Sequence, residues 1–574
     1  MSQEILEEDG RQDAGEAGRN LHGSIFWDIE EGAIFDETKN THLWMVIRAT
    51  RLASSTPEGA AFAQLFPPVD GEIHQDFHDQ LCRGIYEADF GRRYNDDKTW
   101  VSHFYDPSTG KNYREQSYPT ALTRGAKFFA MARDAHVQGR TKDAGFHLGL
   151  ALHYFTDLSQ PMHASNYTFF SSLPAGFHSA VESYAMQVQE QTPMPTTAPQ
   201  DDEPYPEHHL VGLAWRSRGG MKALLAAEKY WPFGPWREHA REPALHALAT
   251  GVAATSSFVR AWMRSTRMRY VSLCAVIRDP GKSAPVLEVC RSPDGEHWSP
   301  GEAMFPGGVG GYRPAAAVFH GLVHAVFGVI QDGQMILMHT SSPTGEPGAW
   351  TAPQRLPCSS EARPALCVYR NRLYLVYRGF EDQNLWWAST RDGSTWESHG
   401  AIGEWNSHQA YSSPTLALLG DSMYCLHRGL NAGGVDDDRL WACHLNGNQW
   451  SADELVRSER GEEFHIVGEP SAVYWLDRLA VYIQQKGEHR CLPVMSRDGR
   501  SWMAGMPQAA EAAQLVAVGG KVISTGTRGE PGSIRPGGWS RVSYDLRTFT
   551  PRAPLFDGRW MLDGPPATVV VEPD

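Results

Sequence analysis

From Thr41 to about Arg267, apolar residues recur every three to four positions. HLWMVIRATRLA, ALTRGAKFFAMARDAHVQG, FHSAVESYAMQVQ and ALHALATGVAATSSFVRAWMRS all carry this spacing, which gathers apolar side chains on one face of a helix. A fifth segment, AGFHLGLALHYFTDLSQPMH, is apolar nearly all round through Phe146, Leu148, Leu150, Leu152 and Phe155. A helix of that kind is buried on every side. Residues 192–208, TPMPTTAPQDDEPYPEH, are Pro-rich and acidic and predict a surface loop. This half reads as an all-α bundle, whose core is where facing helices can converge a metal site.

After about Tyr270 the pattern changes to short β runs broken by Gly, Pro and Asp. The segments SPDGEHW, TRDGSTW and SRDGRSW end at Trp298, Trp396 and Trp502, with weaker copies ending at Trp350, Trp450 and Phe549. The spacing of these ends, 46–54 residues, with several strands per unit, predicts a β-propeller. One unit reads RPALCVYR, LYLVYRG, NLWWAST and TWES, whereas the first unit lacks its opening strand. The closing residues PPATVVVEPD resemble that missing strand. A C-terminal strand that completes the first blade leaves no open sheet edge. Six blades follow, or five if one weak repeat is loop. The turn motif resembles the aspartate box of sialidase-like propellers, an outer turn without chemistry of its own.

Length and charge narrow the functions. At 574 residues the chain holds two or three domains: residues 1–26, 27–268 and 270–574. The formal charge of −15 argues against a polyanion-binding surface and against a basic patch for anionic lipid. No apolar run is long enough to span a bilayer. Residues 1–26 hold Glu4, Glu7, Glu8, Asp9, Asp13 and Glu16 against Arg11 and Arg19, without a basic then apolar leader. They read as a disordered tail or removable pro-segment and not as a Sec signal. Export or delivery to foreign membranes by a specialised route and a cytosolic life are both compatible with that. Seven of the eight cysteines follow residue 270 without Cys-x-x-Cys spacing, which predicts strand-core thiols.

The chemistry lies between Asp89 and Glu182, where Asp89, His103, His153, Asp157, His163, His178 and Glu182 occur in order. His153/Asp157 and His178/Glu182 are spaced i,i+4, so each pair shares one helix face. A single such pair is commonly a surface ion pair. Here His153 and Asp157 lie in the apolar helix, where a buried carboxylate needs a partner. Imidazole nitrogen and carboxylate oxygen are zinc ligands, and two pairs with His163 between them predict more than one ion.

The blocks HLWMVIRA, GIYEADF, SHFYDPSTGKNY, FHLGLALHYFTDLSQPMHASN and GFHSAVESY resemble, in order, those of the bacterial zinc-dependent phospholipase C family. The likeness covers roughly Trp27 to Met268. It implies three zinc ions: one on Asp89, His103, His153 and Asp157, and a second on His163, His178 and Glu182. The third is implied on His42 and Asp157 with the amino nitrogen and carbonyl of Trp27. Here Trp27 follows 26 residues, so either the tail is cleaved between Phe26 and Trp27 or the third site is weak. The resemblance further implies Asp89 as general base and Glu30, Phe90 and Trp100 as readers of a choline headgroup. The expected reaction releases diacylglycerol and phosphocholine from phosphatidylcholine. Two alternatives are a single-strand-specific zinc nuclease on the same scaffold, and a glycosidase built on the propeller around Arg313/Pro314 and Arg363/Pro364. Nucleic acid is not an expected partner. The propeller is expected to bind glycan, surface protein or membrane.

Overall fold

The computed structural model describes residues 29–67, 75–201, 203–278, 284–431, 435–487, 490–507, 513–527, 537–556 and 561–572. Among these, nine α-helices precede the first strand: α1 (Thr41–Ala53), α2 (Pro57–Leu65), α3 (Gln75–Phe90), α4 (Ala121–Val137), α5 (Thr141–Asp157), α6 (Phe177–Val188), α7 (Pro206–Gly219), α8 (Met221–Glu228) and α9 (Trp236–Ser265). Their starts follow from local chemistry. The Asn40 side chain accepts from Leu43 N–H at the head of α1, and Thr120 and Thr123 form a capping box at α4. Proline occupies the first turn of α2 and α7, where its missing N–H costs nothing.

The apolar helix, α5, lies at the centre and packs on α3, α4, α1 and α9. Glycines set how closely it approaches α3. A Cβ on Gly84 would lie 2.1 Å from the Phe146 carbonyl oxygen, and one on Gly149 would lie 2.1 Å from that of Leu81. The two backbones therefore touch, and residues one and two turns beyond Gly149 are brought against the end of α3.

The second half is a six-bladed propeller. Six antiparallel sheets follow in chain order, four of them four-stranded and two five-stranded. Ala567–Val571 pairs with Arg269–Ile277, with Arg269 opposite Val571, so the last described strand supplies the missing strand of the first blade. The inner strands contact one another in sequence around a closed ring. In the box turns the aspartate caps its own loop: Asp392 accepts from Ser394 N–H at 2.8 Å and Thr395 N–H at 2.7 Å. The eight cysteines are free thiols.

Some of these turns do more than close a blade. Gln138 Nε2 donates to Asp294 of the first box at 2.8 Å, and Arg497 of the fifth donates to Pro107 O at 3.1 Å. Tyr105 O–H donates to Asp477 at 3.1 Å. At the centre of this junction Lys521 donates to both oxygens of Asp134 at 2.7 Å, and Tyr544 O–H donates to the same carboxylate at 2.8 Å. Lys521 and Asp134 are both buried. Charges this deep persist only with partners, so the propeller and the helical half are mated through a fully paired polar core. The segment 192–208 departs from a plain surface loop. Its last residues, Pro206–His208, begin α7, and Glu207 is buried.

Among the described residues no helix is long and apolar enough to cross a membrane.

Candidate metal centre

Six elements deliver eight donors to one buried locus. His42 comes from the first turn of α1, Asp89 from the end of α3, and His103 from a 3-10 turn, Val101–His103. His153 and Asp157 lie on α5, His163 opens a second 3-10 turn, and His178 and Glu182 lie on α6. All eight are buried. None of the three carboxylates pairs with a Lys or Arg among the described residues; their charged neighbours are imidazoles.

Asp157 is the hub. Its Oδ2 lies 2.9 Å from His103 Nδ1 and 3.4 Å from His153 Nε2, and its Oδ1 lies 3.5 Å from His163 Nδ1 and 3.8 Å from His42 Nε2. Asp89 Oδ1 is 3.5 Å from His153 Nε2 and 3.7 Å from His103 Nδ1. Across the site, Glu182 Oε1 is 3.0 Å from His163 Nε2 and 3.1 Å from His178 Nε2. Three sets have ligand atoms all within 4.8 Å of one another: His42/Asp89/His153, His103/His153/Asp157 and His163/His178/Glu182. The third is the trio expected from the sequence, and the second lies within the expected four-ligand set. His42 falls with Asp89 and His153 as well as near Asp157. Trp27 lies outside the described residues.

Many of these atoms are close without being hydrogen-bonded. His42 Nε2, both Asp89 oxygens, His103 Nε2, both His178 nitrogens and Glu182 Oε2 are buried with no hydrogen-bond partner. So many orphaned donors and acceptors in one place are costly unless something binds them, and an N/O set without thiolate suits zinc. The residues present fit the metal.

Neighbouring groups fix which nitrogens face inward. The Thr156 hydroxyl donates to Leu152 O at 2.8 Å, so at 2.6 Å from His42 Nδ1 it accepts the ring proton. The lone pair of His42 is left on Nε2. His163 Nδ1–H donates to His103 O at 3.0 Å, which turns Nε2 toward Glu182. Orientation of ligands by such outer contacts is general in metal sites. Rings also stack: His42 on His153 with centroids 4.0 Å apart, and Phe104 on His163 at 4.6 Å.

Electrostatics separates the two central carboxyls. Burial raises Asp89 well above the usual carboxylate range, with His103 opposing. Burial acts the same way on Asp157, but His153, His163 and His103 outweigh it and hold that carboxyl below the usual range. Burial lowers His163, yet Asp157 and Glu182 prevail and lift it to about 9. Burial and the neighbouring His153 depress His42.

The family model for zinc dependent phospholipase C matches residues 41–217. Phospholipase C of Bacillus cereus is 37% identical over 171 residues, covering 29% of this chain and 58% of that protein. Phospholipase C of Listeria monocytogenes is 36% identical over 145 residues, covering 25% of this chain and 47% of that one. The helical half is thus similar, over residues 41–217, to the zinc-dependent phospholipase C family. The chain spans about half the length of these curated relatives. The alpha toxin from Clostridium absonum aligns over 74% of this chain and 99% of its own, at 13% identity and a TM-score of 0.31.

Of the three residues that the phospholipase C resemblance assigns to a headgroup, Phe90 and Trp100 lie beside Asp89. Trp100 Nε1 donates to Asp89 O at 3.3 Å, and Asn95 Nδ2 donates to the same carbonyl at 2.7 Å. Phe90 is half-buried and stacks on Tyr86 with centroids 4.3 Å apart. Gly32 N–H donates to the Tyr86 hydroxyl at 3.1 Å, which draws the Glu30-bearing turn to that stack. Glu30 itself is exposed and pairs with Lys39 at 2.9 Å. Sequence reasoning missed Tyr86, Asn95, Thr156 and the Gly84/Gly149 contact. For two of them a signal existed: Tyr86 is four residues before Phe90, and Thr156 is a hydroxyl in an otherwise apolar helix.

Proposed function

We propose that the protein is a zinc-dependent phospholipase C that hydrolyses phosphatidylcholine-type lipids to diacylglycerol and phosphocholine. The observation that carries this reading is the convergence of His42, Asp89, His103, His153, Asp157, His163, His178 and Glu182 within a chain segment that matches that family. In this reading His163, His178 and Glu182 hold one ion, and Asp89, His103, His153 and Asp157 hold a second. His42 and Asp157 hold a third, completed by Trp27 once residues 1–26 are removed. Bound zinc supplies a water of lowered pKa and positive charge opposite the phosphodiester oxygens.

Asp89 is the general base. Its oxygens make no hydrogen bond, so one can take a proton while the other would hold zinc, and Asn95 and Trp100 hold its backbone carbonyl and the end of α3 in place. Phe90, Trp100 and Glu30 receive the quaternary ammonium, with Tyr86 extending the aromatic face. Cation–π attraction and a nearby carboxylate suit such a group. The nuclease alternative is not favoured by the family match, nor by a chain of net charge −15. For the propeller, of the partners glycan, surface protein and membrane, the favoured one is glycan. Its central cavity of about 440 Å3 is lined by Thr415, Gln514, Thr525, Thr568 and Arg363 among apolar strand residues, with Glu207 and His208 of the helical half at one end. Export by a specialised route is the localisation that this substrate favours.

The test is parallel assay of the zinc-loaded protein on short-chain phosphatidylcholine and single-stranded DNA, alongside Asp89→Asn. We expect turnover of the lipid alone, reduced about 100-fold or more in a zinc-replete Asp89→Asn protein. Normal turnover by that variant removes the base assignment, and cleavage of DNA in preference to lipid removes the function.

A further inference from the structure

Two loops next to the His163/His178/Glu182 group present bare apolar side chains to solvent. Residues 166–176, NYTFFSSLPAG, connect the His163 turn to α6, and residues 229–235, KYWPFGP, connect α8 to α9. The first contains no charged residue, and the second carries only Lys229, at its α8 end, four positions from Phe233. Phe170 is 79% exposed, Leu173 94% and Phe233 98%. Single exposed apolar residues are ordinary; these three occur together on supports that hold them outward.

Trp231 Nε1 donates to Pro174 O at 2.9 Å and ties the loops to each other. Gly176 N–H donates to Phe169 O at 2.9 Å, and Phe177 N–H donates to the Ser172 hydroxyl at 3.1 Å. Below them Phe177, Trp231 and Trp236 pack with ring centroids 5.4–5.8 Å apart. The tips are thus kept from folding back onto the molecule. Gly176, at φ +105°, makes the turn that returns the chain to α6.

We propose that these two loops are an interfacial anchor that inserts Phe170, Leu173 and Phe233 into the surface of a zwitterionic phospholipid bilayer. This rests on the phospholipase reading for its biological sense, but its physical basis is separate. Uncharged tips enter the headgroup region with no ion to desolvate, Lys229 at the base of the second loop can stay among the headgroups, and aromatic residues favour that region. A protein partner would have to offer pockets to three separate tips, whereas a lipid surface accommodates them without shape matching. The net charge of −15 repels anionic lipid, which selects phosphatidylcholine over phosphatidylserine surfaces. The first loop is bounded by His163 and His178, so seating it on a bilayer brings that donor group to the lipid headgroups.

The experiment uses the full-length, zinc-loaded protein and the triple variant Phe170→Ser, Leu173→Ser, Phe233→Ser. Sedimentation with phosphatidylcholine vesicles and hydrolysis of monomeric short-chain phosphatidylcholine are measured for both. The parent is expected to sediment, and the variant to bind about 10-fold less or weaker, with its rate on the monomer within about 2-fold. Unchanged sedimentation of the variant overturns the anchor, since the propeller or another surface then carries binding. A parent that hydrolyses monomer but never sediments overturns it too. A parent that sediments, with the variant not sedimenting and neither hydrolysing lipid, supports the anchor and overturns the phospholipase reading instead.

Discussion

Thr156 shows how much of the centre depends on a side chain that binds no metal in the proposed reading. By donating to Leu152 O it becomes an acceptor for His42 Nδ1–H at 2.6 Å, and the lone pair on Nε2 of His42 is left facing the site, where it would ligate in the proposed reading. Thr156→Val keeps the volume and removes that acceptor. We expect the His42-dependent ion to be held about 10- to 100-fold more weakly, with the remaining zinc retained, as measured by competition with a chelator. Equal affinity at all sites would show that His42 is oriented by its stack on His153 instead. The residue chemistry itself was legible in the chain: every donor from Asp89 to Glu182 is a named residue type at a helical or turn spacing. The outer contacts were not, because Thr156 acts on a histidine 114 positions away.

At the scale of elements, the pairing of α3 with α5 brings Asp89 to His153 and Asp157. That pairing exists because Gly84 and Gly149 allow backbone contact. Gly149→Val would drive a branched side chain into the Leu81 carbonyl, where even a Cβ would lie at 2.1 Å, and α3 must shift. We expect a loss of about 3 kcal/mol or more together with reduced zinc content per molecule, measured by urea unfolding and metal analysis. A stable, zinc-replete Gly149→Val protein would mean that the contact is not what sets the site. The apolar periodicity of α5 announced a buried helix, but it did not say which helix lay against it. Packing partners are chosen by surface shape, and a one-dimensional pattern does not carry shape.

On the scale of the molecule, the helical half closes one end of the propeller channel. Tyr205, Glu207 and His208 line the same cavity as the inner strands. Burial raises the Glu207 carboxyl to about 7 from an ordinary 4.5. The folded protein therefore holds that proton more tightly than the unfolded chain does. This favourable difference is fully present below about pH 4.5 and is lost as pH rises through 7, a change of about 3 kcal/mol. Glu207→Gln should flatten this part of the pH dependence between pH 5 and 7 and raise the urea midpoint at pH 8. Parallel curves for the two proteins would show that the carboxylate is stabilised by something other than its protonation. The mating surface that buries Glu207, built around Lys521 and Asp134, had no signature in the chain, since those two residues are 387 positions apart.

By itself the sequence determined the two periods, the order of the donors, and the displaced strand at the C-terminus. These are set by local spacing: 3.6 residues per helical turn, alternation in a strand, and a repeat near 50 residues that one strand from the other end must complete. The tertiary structure alone decided that His42 joins Asp89 and His153, that Glu30 pairs with Lys39 at the surface, and that box turns of the propeller grip the helical half. Those outcomes depend on distances between residues far apart in the chain, which packing settles and spacing does not.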